Sequence, residues 1–215
     1  MNEFDKVIGY DPIKLELLRL CDVIKNPNKY EKLGVKFPNG LVLYGSPGVG
    51  KTLLANCFLK ECGASCFVCR KNKPDDEFIN SIKEIFDEAK RQQPAVILLD
   101  DLDKFANEDK DHKDAEEYVT VQSCIDEVKN DKVFVFATVN NLKKVPDSLI
   151  RAGRFDKTIE VKNPRGKDAV NIIEYYLSQK KYVKEINAEE VSRILCGRSC
   201  AELESVINDA GIYAG

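Results

Sequence analysis

A glycine-rich stretch from residue 45 to residue 52, GSPGVGKT, constrains the fold of this 215-residue chain more than any other feature. It matches the phosphate-binding pattern GxxxxGK[ST], whose glycines allow a tight turn that points backbone N–H groups at phosphate oxygens. The apolar residues 41–44 before it predict a buried strand, and residues 53–59 after it predict a helix. A strand, a turn and a helix in this order are the context that the pattern requires, so we expect a nucleoside triphosphate to bind here.

The loop also predicts roles for individual residues. Lys51 would reach the β- and γ-phosphates, and the Thr52 hydroxyl would bind Mg²⁺, which together predict ATP and Mg²⁺ as the cofactors. The alternative is a glycine-rich turn that only resembles the pattern, and the flanking strand and helix argue against it. The predicted cofactor-binding residues of the loop are Pro47, Gly48, Val49, Gly50, Lys51, Thr52 and Leu53.

A pair of carboxylates, Asp100 and Asp101, follows the unbroken apolar run of residues 95–99. Ligands of open α/β sheets bind beyond the carboxyl ends of parallel strands, so a strand that ends in aspartate next to the phosphate-loop strand would place a carboxylate beside Mg²⁺. We predict that Asp100 binds the metal and that Asp101 polarises the attacking water as a general base. Asn140, after the apolar residues 133–138, would orient that water. The alternative is that both carboxylates only cap a loop.

The charge balance gives no reason to expect nucleic acid or an anionic membrane as a partner, since 33 Lys and Arg residues face 36 Asp and Glu residues. No apolar run approaches the ~18 residues that span a bilayer, and the amino terminus lacks a basic segment followed by an apolar one. These features predict a cytoplasmic chain without a membrane segment of its own, although the full-length protein could be tethered to a membrane.

The eight cysteines are expected to be reduced thiols, because the nucleotide motif is that of an intracellular protein. Cys66 and Cys69 lie three apart in the strand-like residues 65–69, so they would face opposite sides of a sheet and would not share a zinc or iron–sulfur site. The only histidine, His112, lies in a charged stretch that predicts a solvated loop rather than a catalytic site.

Strand-like and helical segments alternate through residues 1–163, which predicts a parallel, doubly wound sheet. From residue 164 onward the strand signal stops and helical periodicity continues. We therefore predict an α/β phosphate-loop NTPase fold with five parallel strands in residues 1–163 and a helical lid subdomain in residues 164–215. The predicted strands are residues 41–44, 65–69, 95–99, 133–138 and 158–161, and the predicted lid helices are residues 167–180, 188–196 and 199–213.

Together these motifs resemble a AAA+ ATPase module, and within that superfamily they are similar to the FtsH-type AAA proteases over nearly the whole chain. Residues 4–9 resemble the segment that packs on adenine. Asp100 and Asp101 resemble the Walker B end, and Asn140 falls at the position of the sensor-1 amide. The most specific match is PDSLIRAGRFD, residues 146–156, which resembles the second region of homology with its two arginines.

This resemblance implies further site residues and an assembly. Arg151 and Arg154 would reach the γ-phosphate bound by a neighbouring subunit as arginine fingers, which requires a ring, and the family builds that ring as a homo-hexamer. The implied function is Mg²⁺-dependent ATP binding and hydrolysis that drives the remodelling or unfolding of protein substrates. Further implied nucleotide contacts are Ile8 and Gly9, together with Cys200 and Ala201 of the lid.

Departures from the family pattern keep other interpretations open. Asp101 stands where the family has glutamate, and residues 70–77 lack the aromatic-hydrophobic-glycine triplet that grips polypeptide. No HExxH motif is present, so this chain alone is not expected to be a metalloprotease. One alternative is a nucleotide-gated binding or scaffold module with little turnover, and another is a DNA-acting clamp-loader relative. The last predicted helix ends where the family's lid continues, which favours a fragment that is monomeric by itself and hexameric in the native protein.

Overall fold

The computed structural model describes residues 2–72, 75–106, 115–181 and 186–214. Within these ranges, five strands form one sheet in the order β2-β3-β4-β1-β5, and every neighbouring pair is parallel. This confirms the predicted α/β class and the five-stranded parallel sheet. The strands are β1 (Gly40–Tyr44), β2 (Ser65–Cys69), β3 (Ala95–Leu99), β4 (Val133–Val139) and β5 (Lys157–Glu160).

Helices connect the strands and continue after the last one. Each predicted element is found, and its ends lie within two residues of the predicted ones; the lid helix predicted over residues 167–180, for example, ends at Ser178. The helices are α1 (Asp11–Lys25), α2 (Pro27–Glu31), α3 (Lys51–Glu61), α4 (Asp75–Arg91), α5 (Ala115–Glu127), α6 (Lys167–Ser178), α7 (Ala188–Ile194) and α8 (Cys200–Ala214). Short 3-10 turns lie at Glu3–Lys6, Leu102–Lys104 and Leu142–Lys144.

The central strands place alternate side chains in two separate apolar layers. Leu41 and Leu43 of β1 pack in the layer that contains buried residues of α1 and α3, whereas Val42 packs in the layer of α4 and α5. β3 and β4 alternate in the same way. Because a strand reverses its side-chain direction at each residue, burial on both faces requires an unbroken apolar run, which is what these segments have.

One expectation about the sheet is wrong. β3, which leads into Asp100, does not lie next to the phosphate-loop strand β1, because β4 stands between them. All residues of β4 are buried, so this strand occupies a central position in the sheet. The ends of β1 and β3 are therefore about two strand spacings apart, roughly 10 Å, and residues that follow β4 must bridge them.

The edge strand β2 carries the two cysteines whose orientation the sequence predicted. Cys66 is exposed and Cys69 is buried, which agrees with side chains on opposite faces. Among the residues that the structure describes, no group of at least three His, Cys, Asp and Glu side chains could hold a metal ion. His112 lies outside the described residues.

The helices after β5 pack on one another, since α6 contacts both α7 and α8. They form the helical carboxyl-terminal part that the sequence predicted, while its division from the sheet domain between residues 163 and 164 stays a prediction. Over the described part of the chain, no helix is both long enough and apolar enough to cross a membrane.

Candidate nucleotide-binding site

The glycine-rich loop joins β1 to α3 in a conformation that excludes larger side chains. A Cβ at Gly45 would lie 2.1 Å from the carbonyl oxygen of Val161, and a Cβ at Gly48 would lie 2.9 Å from Cβ of Ala201. Gly48 also has φ +79°, in the left-handed region that glycine adopts without strain. The loop is thus shaped by the close approach of Val161, directly after β5, and of α8, and the start of α3 adds a positive dipole end that favours phosphate.

Lys51, the first residue of α3, is folded back over the loop and is only 5% exposed. Its Nζ donates to the carbonyl oxygens of Gly45 at 2.7 Å and Ser46 at 3.0 Å, and to Oδ1 of Asn140 at 2.9 Å. Burial lowers the pKa of Lys51, and the charges of nearby aspartates oppose this shift. The side chain is therefore placed across the loop by neutral acceptors that a phosphate oxygen can replace.

Thr52 and Leu53 follow Lys51 on the first turn of α3, and both are exposed. The Thr52 hydroxyl is therefore accessible at the helix start, as a role in binding a metal requires. Val49 is buried in the core beneath the loop, while Pro47 is exposed on it. The predicted loop residues thus divide into those that fix the loop and those that present atoms to solvent.

Asp100 lies at the end of β3 and is 2% exposed. Its Oδ1 accepts a hydrogen bond from Oγ1 of Thr138 at 2.6 Å, and its Oδ2 accepts from Nε of Arg70 at 3.0 Å. Oxygen ligands are those that Mg²⁺ prefers, so a buried carboxylate here and the accessible hydroxyl of Thr52 fit the donor set of a divalent cation held with phosphates.

Asp101 has φ 56°, in the left-handed region. Its Oδ1 accepts from Nδ2 of Asn140 at 3.0 Å, and its Oδ2 accepts from Nζ of Lys104 at 2.7 Å. Burial acts to raise the pKa of Asp101, but the hydrogen bonds from Lys104 and Asn140 and the positive charges of Lys104 and Lys51 outweigh it and lower the pKa. The carboxylate therefore stays ionised at neutral pH and can accept a proton or a hydrogen bond.

Asn140 links the phosphate loop to the carboxylates, because its amide contacts both Lys51 and Asp101. Its position is fixed by Asp103, whose oxygens accept from the backbone N–H groups of Asn140 and Asn141, each at 3.1 Å. Hydrogen bonds thus bring Lys51, Asp101 and Asn140 together, and their catalytic roles stay predictions.

Thr138, on β4, is a site residue that the sequence analysis missed. It is fully buried, its hydroxyl donates to Oδ1 of Asp100, and it accepts from the backbone N–H of Asp101 at 2.9 Å. A hydroxyl inside an otherwise apolar strand was the available signal. It fixes the carboxylate of Asp100 and the backbone of Asp101 relative to β4 and so contributes to the geometry of the site.

The amino-terminal segment and the lid meet at Tyr10, another residue that the sequence did not single out. Tyr10 donates to the carbonyl oxygen of Lys162 at 2.9 Å, and its hydroxyl lies 3.4 Å from Sγ of Cys200. Burial raises its pKa, so the hydroxyl remains protonated. Its backbone N–H donates to Asp168 of α6 at 3.3 Å, directly after Gly9. These contacts join the predicted adenine segment to the helical lid.

The start of α8 contacts the phosphate loop itself. The backbone N–H of Ala201 donates to the carbonyl oxygen of Gly48 at 3.1 Å, and Sγ of Cys200 donates to that of Val49 at 3.7 Å. Burial raises the pKa of Cys200. Ile8, in contrast, packs at the margin of the apolar layer of α1 and α3. Nucleotide contacts for Ile8, Gly9, Cys200 and Ala201 stay predictions, and Cys200 and Ala201 already hold the loop.

Arg151 and Arg154 lie away from this site, at the opposite edge of the sheet. The backbone N–H of Asp156 donates to the carbonyl oxygen of Gly40 at the start of β1, whereas the phosphate loop follows the end of β1. The five residues of β1 span roughly 16 Å. Neither arginine therefore belongs to the site that this chain's own loop forms.

The two arginines differ in their surroundings. Arg154 is 6% exposed, and its Nε and Nη2 donate to the two carboxylate oxygens of Asp126 at 2.8 and 2.5 Å. The hydrogen bonds from Arg154 lower the pKa of Asp126. Arg151 is exposed. Of the predicted finger pair, Arg151 is thus open to a neighbouring molecule, and Arg154 is engaged within the chain.

Comparison with known proteins agrees with this geometry. The family of ATPases associated with various cellular activities (AAA) matches residues 41–163. The ATP-dependent zinc metalloprotease FtsH of Ureaplasma parvum is 30% identical over 219 residues, which cover 98% of this chain and 30% of that protein. The FtsH of Leptotrichia buccalis is 32% identical, and the match covers 99% of this chain and 29% of that protein. The chloroplastic FTSH of Nicotiana tabacum is 31% identical, and the match covers 98% of this chain and 31% of that protein.

The chain thus spans about a third of the length of the curated relatives that it matches. The match covers the strand–loop–helix unit, the carboxylates after β3 and the arginine segment before β5. AAA ATPases bind a nucleotide with a divalent metal and act as oligomers. The chain belongs to the AAA family of ATPases and is a module of the FtsH type.

Proposed function

We propose that this chain binds ATP with Mg²⁺ and hydrolyses it, and that in its full-length context this drives the remodelling or unfolding of protein substrates. The observation that carries the proposal is the hydrogen-bond path from Lys51 through Asn140 to Asp101, with Asp100 fixed beside it by Thr138. It brings the phosphate-contacting cation, the candidate general base and the candidate metal carboxylate to one edge of the sheet.

Each group has a part in the proposed reaction. Backbone N–H groups of the loop and the dipole of α3 bind the phosphates, and Lys51 exchanges its neutral acceptors for the β- and γ-phosphate oxygens. Thr52 and Asp100 would hold Mg²⁺, which would supply positive charge beside the phosphates. Asp101 accepts a proton from the attacking water. Asn140, whose amide contacts Lys51 and Asp101, orients that water.

Assembly is the second part of the proposal. Arg151 and Arg154 lie at the opposite edge from the phosphate loop, so they complete a site only when a neighbouring molecule presents its loop to them. Such an arginine stabilises the charge of the transition state and leaves nucleotide binding largely unchanged. A hexameric ring would supply one arginine edge to each phosphate loop. The exposed Arg151 is the first candidate for this contact.

The test is the steady-state Mg²⁺-ATPase rate measured over a range of protein concentrations. We expect turnover per molecule to rise with concentration, to vanish in Lys51→Ala, and to fall by at least about 100-fold in Arg151→Ala with ATP binding retained. Lys60→Ala is the matched control for Lys51→Ala, because Lys60 is an exposed lysine at the far end of α3. Turnover that is independent of concentration and unchanged in Arg151→Ala would refute the assignment of an arginine acting between molecules.

A second candidate function is a nucleotide-gated binding module with little turnover. The short Asp101 side chain favours it, because both of its oxygens are already held by Asn140 and Lys104. The two functions differ in the effect of Asp101→Glu, which extends the carboxylate by one methylene toward the water. A strong rise in turnover would show that aspartate restrains hydrolysis. If wild type hydrolyses ATP and Asp101→Glu does so at the same rate, the result would instead support the ATP-hydrolysing function, with aspartate as an adequate base.

A further inference from the structure

Arg70 lies directly after β2 and reaches across to the end of β3. Its Nε donates to Oδ2 of Asp100 at 3.0 Å, and its Nη2 donates to the same oxygen. The other oxygen of Asp100 accepts from Thr138 at 2.6 Å. Both oxygens of the candidate metal carboxylate are therefore already engaged by side chains of this chain, one of them by a positive charge.

The two partners of this ion pair differ greatly in exposure. The side chain of Asp100 is 2% exposed and that of Arg70 is 59% exposed. A carboxylate buried to this degree requires a counter-charge, because otherwise no interaction offsets the free-energy cost of removing it from water. Arg70 supplies that charge from the surface. The buried carboxylate of Asp100 is therefore held in place, whereas water can replace the exposed guanidinium of Arg70 as its hydrogen-bond donor.

The surroundings of Arg70 leave room for its side chain to move. Arg70 lines an open groove of about 410 Å³ between β2 and α4, together with Val68, Phe78 and Ile85. A guanidinium that leaves Asp100 can enter this groove or solvent without displacing a buried side chain. Movement of Arg70 therefore does not require the sheet or α4 to open.

We propose that Arg70 is a positioning residue that occupies Asp100 in the nucleotide-free protein and is displaced when the divalent cation arrives with ATP. This inference rests on the proposed role of Asp100 in binding Mg²⁺. A guanidinium and a divalent cation at one carboxylate repel each other, and both compete for the lone pairs of Oδ2. Arg70 thereby raises the Mg²⁺ concentration that ATP binding requires and keeps Asp100 oriented until the cation binds.

The first test is a titration of Mg²⁺ at fixed ATP, with ATP binding measured by calorimetry in wild type and in Arg70→Gln. The glutamine removes the charge and keeps an N–H donor, on a shorter side chain. We expect the Mg²⁺ concentration for half-maximal binding to fall about tenfold in Arg70→Gln, equivalent to about 1.4 kcal/mol, and to stay near the wild-type value in Arg70→Lys. An equal or higher requirement in Arg70→Gln would overturn the inference.

Arg91→Gln is the matched control, since Arg91 is an exposed arginine at the end of α4 and pairs with Glu88 on the surface. It changes the net charge by the same amount away from the site, so its Mg²⁺ requirement should equal that of wild type. A tenfold fall in this variant as well would assign the effect to net charge and would overturn the role of Arg70.

The second test observes Arg70 itself in wild-type protein and so does not depend on the folding of a variant. The Nε–H signal of Arg70 in an NMR spectrum of ¹⁵N-arginine-labelled protein is assigned by its absence in Arg70→Lys. We expect it to be unchanged by ATP in the presence of EDTA, and to shift or broaden when Mg²⁺ is added. A signal that stays unchanged with Mg²⁺ and ATP bound would contradict displacement.

The two proposals fail in different ways. If wild type binds ATP with a Mg²⁺ dependence and Lys51→Ala does not, but Arg70→Gln behaves as wild type, only the role of Arg70 is refuted. If wild type binds no ATP at any Mg²⁺ concentration, the proposed function is refuted, and the inference about Arg70 is refuted with it.

Discussion

Two buried cations at opposite edges of the sheet are held in different ways. Lys51, at the phosphate-loop edge, donates to backbone carbonyl oxygens and to the amide of Asn140, which are neutral groups. Arg154, at the other edge, is matched by both oxygens of Asp126. Neutral acceptors leave the charge of Lys51 available to a phosphate, whereas the carboxylate neutralises Arg154. The difference indicates that Lys51 is placed to bind a ligand and that Arg154 is placed to hold the fold.

The largest expected effect that separates the two edges is on stability. Arg154→Ala should lower the free energy of unfolding by about 2–3 kcal/mol, because it removes charge-assisted hydrogen bonds from a buried group. Lys51→Ala should lower the free energy of unfolding by less than about 1 kcal/mol. The variant loses the hydrogen bonds of Lys51, but it also avoids the cost of burying a charged ammonium. Urea denaturation of both variants at pH 7 measures the difference.

Arg151→Ala provides the control for Arg154→Ala, since Arg151 is an exposed arginine in the same segment. Its free energy of unfolding should stay within about 0.5 kcal/mol of wild type. Equal destabilisation by the Lys51 and Arg154 variants would contradict the contrast between the two edges.

A smaller effect is expected from Thr138→Val, which keeps the shape of the side chain but removes its hydroxyl. Asp100 then loses its hydrogen-bond donor Thr138, and the backbone N–H of Asp101 loses its acceptor. We expect a loss of about 1–2 kcal/mol in the free energy of unfolding, and recovery of most of it in Thr138→Ser. Thermal or urea unfolding checks this, and a valine variant as stable as wild type would show that the bridge between β3 and β4 contributes little.

The smallest effect is a pH dependence at the arginine edge. Because Arg154 lowers the pKa of Asp126 in the folded protein, the pair stabilises the fold fully above the ordinary aspartate pKa of 3.8 and loses this effect as the pH falls through the lower folded value. Asp126 is partly exposed, so the difference from Asp126→Asn should be under about 1 kcal/mol at pH 7. Urea denaturation at pH 7 and pH 3 should show this difference shrinking in acid, and a growing difference would contradict it.

Local patterns predicted the elements of this fold well, because each depends on neighbours in the chain. The glycine loop, the apolar runs of the strands and the periodic helices lie within one or two residues of their predicted ends. Strand order depends instead on pairings between distant segments, so the place of β4 between β1 and β3 was missed. The roles of Thr138 and Arg70 follow from that order and from side-chain reach across strands, and no local pattern reports them.

The most direct test of the nucleotide site is a calorimetric titration of ATP with Mg²⁺ into wild type, Lys51→Ala and Arg154→Ala. We expect binding to wild type, an affinity at least about 100-fold weaker in Lys51→Ala, equivalent to ~2.7 kcal/mol, and an affinity close to wild type in folded Arg154→Ala. Wild-type affinity in Lys51→Ala, or loss of binding in Arg154→Ala alone, would contradict the assignment of the nucleotide site to the carboxyl edge of the sheet.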